Sequence, residues 1–256
     1  MSNISSYAPS VGLSWLKQGW GLFSKQFVRL SLLFMLVSML MPMVTMLPFL
    51  GILLGILFIP LSQMLIFNAA YGIRLRGYFL LDDLTQKLRT PQVWGRLLIA
   101  SFINLFITYF ILNFTLPTIP VSADSIMNMQ AEQVAEIIAT TFSLKNMVIP
   151  LFCVTVYLLL SFWVYPLICW EELKVSRAFS LSFKATMSNT LALSMLFIIF
   201  IIVTISLLFL AKSLLLALSS TLLSTISLFI FNTLLVGLYM SLFVAYMEIF
   251  YGKDSS

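Results

Sequence analysis

Leu30–Ile73 reads LSLLFMLVSMLMPMVTMLPFLGILLGILFIPLSQMLIFNAAYGI, without one Asp, Glu, Lys or Arg. An α-helix crosses the hydrocarbon core of a bilayer in about 20 residues, so this run is too long for one span and suits two. Pro42, Pro48, Gly51 and Gly55 interrupt it near the middle, and Pro48–Gly51 is the expected turn. Spans are read at about 30–47 and 51–71, with Pro42 kinking the first.

The remainder of the chain follows the same rule. Thr90-Pro91 has the form of an N-cap and a first-turn proline. The helix they start crosses at about 96–116 and stops at Pro117 and Pro120. A polar loop, 117–146, contains Val134, Ile137, Ile138 and Thr141 at helical spacing, which predicts a short amphipathic helix. Further spans are read at about 147–169, 190–211 and 226–248, with Lys212 snorkelling to an interface. With 61% hydrophobic and 9% charged residues, the chain lacks the polar side chains to coat a globule in water; soluble proteins average roughly 25% charged. The expected fold is an all-α integral membrane protein, a single membrane domain over 1–256 with six transmembrane helices as three hairpins.

Basic residues fix the expected orientation. Lys17, Lys25, Arg29, Arg74, Arg76, Lys87, Arg89, Arg96, Lys174, Arg177, Lys184 and Lys253 fall on one side of the spans; only Lys145 and Lys212 fall on the other. Lys and Arg are retained on the cytoplasmic side of short loops, so both termini are expected there and loop 117–146 in the periplasm. The net charge of +5 is thereby explained by membrane orientation and anionic headgroups, and nucleic acid is not an expected partner. The N-terminal residues do not follow the basic, apolar, small-residue order of a cleavable signal, so the first span is expected to be retained.

Each hairpin has an amphipathic lead-in. In residues 11–29, Leu16, Trp20, Phe23, Phe27 and Leu30 recur at helical spacing, with Lys17, Gln18, Ser24 and Lys25 opposite. In 173–188, Val175, Phe179 and Phe183 oppose Lys174, Arg177, Ser180 and Lys184; residues 75–88 do the same with Leu75, Leu80, Leu84 and Leu88. Aromatic side chains on one face and lysine on the other belong at a membrane interface. Trp15, Lys17, Trp20, Phe23, Lys25, Arg29, Phe179, Phe183 and Lys184 are therefore the candidate interface residues. Internal triplication and the ordinary amphipathicity of cytoplasmic loops both account for the threefold pattern.

Chemistry is scarce. Histidine is absent, which removes Ser-His-Asp and Cys-His nucleophilic systems and the commonest general base. Cys153 and Cys169 match no zinc or redox spacing, and Asp82-Asp83 and Glu171-Glu172 are adjacent carboxylates that point about 100° apart on a helix and so make poor cages. No phosphate loop of the form GxxxxGK[ST] occurs. No enzyme activity, cofactor or metal is expected. Polar groups within the spans are Gln63, Asn68, Asn104, Thr108, Asn113, Ser161, Asn232 and Glu248. Such groups hold neighbouring helices together or line a solute path. Glu248 stands at the cytoplasmic end of the last span, where Lys253 or a base on another loop is the expected partner.

Gly12-Leu-Ser-Trp15-Leu-Lys-Gln-Gly-Trp20, Phe23, Tyr165-Pro-Leu-Ile-Cys-Trp-Glu171-Glu, Ala178-Phe-Ser-Leu-Ser182, Asn189 and Gly237-Leu-Tyr-Met-Ser241 together carry a resemblance. The chain resembles uncharacterised six-span inner-membrane proteins of Gram-negative bacteria, a group distantly similar to the membrane domain fused to some glycerophosphodiester phosphodiesterases. The resemblance implies a location in the inner membrane and a fold; the catalytic phosphodiesterase domain has no counterpart here. Two functions follow as expectations: a non-enzymatic protein that interacts with membrane lipids or scaffolds a membrane-protein partner, or alternatively a small transporter or channel for an apolar or amphipathic solute.

Overall fold

The computed structural model describes residues 4–45, 50–117, 131–214 and 220–252, with backbone alone for some helical residues beside the gaps. The chain is 87% helix and has no strands among the described residues. In order, the helices are α1 (Val11–Lys25), α2 (Phe27–Thr45), α3 (Leu50–Arg76), α4 (Leu81–Gln86), α5 (Pro91–Thr115), α6 (Ala131–Thr141), α7 (Leu144–Ser161), α8 (Val164–Glu171), α9 (Val175–Ser188), α10 (Thr190–Leu214) and α11 (Ser220–Tyr251).

By length and composition, four stretches among the described residues can cross a membrane: Pro91–Thr115, Lys145–Glu171, Thr190–Ala211 and Thr225–Tyr251. A fifth is reached if α1 and the Phe27–Leu40 part of α2, which meet at 92°, form one broken span. The expected turn at Pro48–Gly51 and the polar residues 118–130 lie largely outside the described residues, as do Asp124 and Lys253. Helix α5 begins at Pro91, as Thr90-Pro91 predicts, and the amphipathic helix expected in the polar loop is α6. The lead-in expected over 75–88 forms only the six residues of α4.

Two compact units result, one comprising residues 1–101 and 163–256, the other 102–162. In the first, α11 is the central helix: 67% of its span is buried, against 17% for the span in α10. An aromatic cluster fills the space around it. Phe67 meets Phe243 edge-on at 5.8 Å, and Trp170 meets Tyr246 edge-on at 5.4 Å. Such pairs contribute about 0.5–1.5 kcal/mol each beyond their burial. Within a bilayer, where lipid tails are as apolar as leucine, this close packing and interhelical hydrogen bonds hold the helices together.

In the second unit the Tyr157 hydroxyl donates to Asn104 Oδ1 at 2.5 Å, tying α7 to α5. Phe106, Phe110 and Phe114 stand one helical turn apart on α5, all exposed. A solvated protein would bury such a stripe; a lipid-facing helix has no reason to.

Candidate functional site

Helix α1 is where the structure departs furthest from the sequence expectation. Its aromatic residues divide. Trp15 and Phe23 are fully buried in the protein, whereas Trp20 is 44% exposed. Trp15 and Phe23, expected at a membrane interface, are turned into the protein. The cause is a run of close backbone approaches: a Cβ on Gly12 would lie 2.1 Å from the Ala192 carbonyl oxygen, and one on Gly19 would lie 2.3 Å from the Ser241 Cα. Gly237 of α11 returns the arrangement, its missing side chain accommodating the Trp20 ring. Small residues on both partners thus let α1 lie against α10 and α11.

This close fit brings α1 over Glu248. The Glu248 side chain is only 2% exposed, and its two oxygens accept from Trp15 Nε1 (2.9 Å) and Gln18 Nε2 (3.4 Å). The hydrogen-bond donors are neutral groups of the first helix, while Arg74, a base at the end of α3, acts on Glu248 by charge alone. Burying a carboxyl group without donors is costly, and α1 supplies them. The N-terminal strap reinforces the contact: the Ser5 N–H donates to the Ile249 carbonyl (3.1 Å), the Tyr7 N–H to Asn189 Oδ1 (3.0 Å), and the Tyr7 hydroxyl to the Glu248 carbonyl (3.0 Å). Burial chiefly holds the Tyr7 phenol above its ordinary pKa; Ser5 opposes this and the Glu248 charge adds to it. Tyr7 consequently remains a neutral donor.

Beside Glu248 lies a cavity of about 320 Å³ lined by Gln18, Gly21, Leu22, Lys25, Arg74 and Val244. Four of these follow the helical spacing of one face of α1. Arg74 enters from the last turn of α3. A second cavity, about 250 Å³, is lined by Tyr71, Lys87, Trp170, Met247 and Tyr251. Nearby, Trp170 Nε1 donates to Asn68 Oδ1 (2.9 Å), and the Tyr251 hydroxyl donates to Glu171.

The remaining sequence candidates separate into two sets. Among the polar groups of the spans, Asn68 also donates to the Leu84 carbonyl (2.9 Å), and Asn232 accepts from Ser38 (3.0 Å) while donating to the Leu228 carbonyl (3.0 Å). Gln63 is buried, and Asn113 is exposed. Of the interface candidates, Lys17, Lys25, Arg29, Phe183 and Lys184 are exposed and Phe179 is half-buried. Helix α9 packs through Ala178, Ser182, Ala185 and Thr186, and Phe183, 52% exposed, points away.

Sequence reasoning singled out neither Arg74 nor the bond between Trp15 and Glu248. The spacing of Gln18, Leu22 and Lys25 along one helical edge was the available signal, although nothing local says that Arg74 faces it. No family model, curated protein or solved structure matches the chain.

Proposed function

We propose that this chain is a non-enzymatic, multi-pass protein of the bacterial inner membrane that interacts with membrane lipid on its cytoplasmic side. In this reading α2 and α3 supply the first two of six spans, the spans form three hairpins, and both termini are cytoplasmic. The observation that carries it is the outward surface of the two lead-in helices. On α1, Leu13 and Trp20 are exposed with Lys17; on α9, Phe183 and Met187 are exposed with Lys184. Aromatic rings and long cationic side chains presented together suit the headgroup layer, where rings take the apolar boundary and ammonium groups reach the phosphates.

Transport is supported less well. Asn68, Asn104 and Asn232 are engaged in bonds between or within helices, as helix-packing groups are. Alanine at Asn68, Asn104 and Asn113 is expected to leave uptake and efflux intact, and a specific transport defect would favour the alternative.

Mass spectrometry of protein purified in mild detergent is expected to find retained phospholipid; protein that retains none would remove the lipid reading. For topology, a cysteine at Ser125, a position outside the described residues, is expected to react from the periplasm when Cys153 and Cys169 are replaced by serine. Labelling from the cytoplasm would invert the orientation.

A further inference from the structure

We infer that the cavity between α1, α3 and α11 is a site for the phosphodiester headgroup of an anionic glycerophospholipid. The inference rests on the membrane-embedded reading above and assigns a ligand to one place in it.

Three features carry the assignment. The first is charge: Lys25 and Arg74 line the cavity, and among the described residues neither forms a salt bridge. Other bases nearby are spent differently, Arg76 on Asp83 and Arg89 on Asp82. Glu248 gives its hydrogen bonds to Trp15 and Gln18, and its charge acts on Arg74 without closing a salt bridge. Counting formal charges, Lys25, Arg74 and Glu248 leave one net positive charge, which matches the single negative charge of a phosphodiester. Arginine adds a planar fork suited to two phosphate oxygens, and lysine a mobile point charge.

The second feature is size and lining. At about 320 Å³ the cavity is at the small end of the roughly 300–1,000 Å³ range of ligand pockets. That accommodates a headgroup and excludes a whole lipid. Leu22 and Val244 supply an apolar wall on which the glycerol and the first acyl carbons can lie.

The third is Gly21. A Cβ there would meet nothing within 4 Å, although Gly19, two residues earlier, has none to spare. Gly21 thus contributes open volume to the cavity without being required by the packing of α1.

Gly21 also supplies the test, because a side chain grown there starts from a Cβ that meets no atom within 4 Å and stands at the cavity lining. Protein in mild detergent is titrated with phosphatidylglycerol or with phosphatidylcholine of the same acyl chains, and bound lipid is counted by native mass spectrometry. The wild type is expected to hold one phosphatidylglycerol in preference to phosphatidylcholine. Lys25→Ala should weaken it about fivefold and the Lys25→Ala/Arg74→Ala pair about thirtyfold, from the usual attraction of a base to an anionic surface. Gly21→Leu should abolish the preference, and Lys145→Ala, at an exposed base on α7, should leave it in place.

Should Gly21→Leu and the double variant both keep the wild-type preference, the site assignment is overturned while lipid interaction elsewhere stands. Wild-type protein that binds no lipid overturns both. Displacement of the bound lipid by millimolar inorganic phosphate would make this a free-phosphate site and overturn the lipid as ligand. If Gly21→Leu fails to give a monodisperse helical protein, Lys25→Gln with Arg74→Gln decides the same question without added volume.

Discussion

Helices α1 and α9 carry the same sequence pattern and use it in opposite ways. Both oppose aromatic residues to lysine. In α1, Trp15 and Phe23 are turned into the protein and locked there by Gly12 and Gly19. In α9 the small residues Ala178, Ser182 and Ala185 are turned inward, leaving Phe183 to the surroundings. An amphipathic pattern in water has one solution, because the apolar face must be buried against protein. At a membrane it has two, since lipid accepts an aromatic face as readily as protein does. What decides is the distance to which the backbones can close, and that belongs to the partner helix as much as to the helix itself.

The largest effect that would sharpen this contrast is expected at Gly19. Gly19→Leu drives a side chain into the backbone of α11, so a cost of several kcal/mol is expected and α1 should detach. Loss of monodisperse protein on size exclusion, with protease sensitivity after Lys17 or Lys25, would register it; wild-type behaviour would mean α1 does not lie where the structure places it.

Next comes Trp15→Phe, which keeps an aromatic ring and removes the N–H that serves Glu248. A destabilisation of about 1–3 kcal/mol is expected from the under-satisfied buried group. Thermal unfolding in detergent measures it, and combining the change with Glu248→Leu should recover much of the loss. No recovery in that double variant would show that the bond itself matters little.

A smaller effect of opposite sign is expected at Gly21→Ala. With open space around the new methyl group, removing a glycine from a helix interior should stabilise by about 0.5–1 kcal/mol. Equal destabilisation at Gly19 and Gly21 would break the argument that only one face of α1 is closely packed.

The smallest is Phe183→Ala. Its ring is half out of the protein, so stability in detergent should change by no more than about 0.5 kcal/mol. In lipid nanodiscs the same variant should lose more than it does in detergent, because a bilayer gives the ring an interface to occupy. Identical losses in both media would remove α9 from the interface.

Particular residues show how far the sequence could be read. The runs read as spans at about 96–116, 190–211 and 226–248 are helical over 91–115, 190–214 and 220–251, and Thr90-Pro91 marked the first of these starts, because those signals are local. The break between α7 and α8 was marked only by Pro166, whose missing N–H leaves the Phe162 carbonyl without an i+4 donor, and the apolar Phe162 and Trp163 gave no further sign. Asn68 and Asn104 were recognised as groups needing partners, yet Trp170 and Tyr157 could not be named, since these partners are 102 and 53 residues away. Glu248 was read as a charge awaiting a base. Trp15 and Gln18 reach it from over 200 residues away, and a tryptophan gives no sequence sign that its N–H is committed.

By itself, then, the sequence determined the helices and made several of them long and apolar enough to suit a bilayer, which tolerates only backbone that satisfies its own hydrogen bonds. Tertiary structure decided which face of α1 is inside, who attends Glu248, and that Lys25 and Arg74 share one cavity. Those outcomes depend on how closely backbones approach across hundreds of residues, a quantity set by glycines on α1 and a serine on α11 jointly and written in neither segment alone.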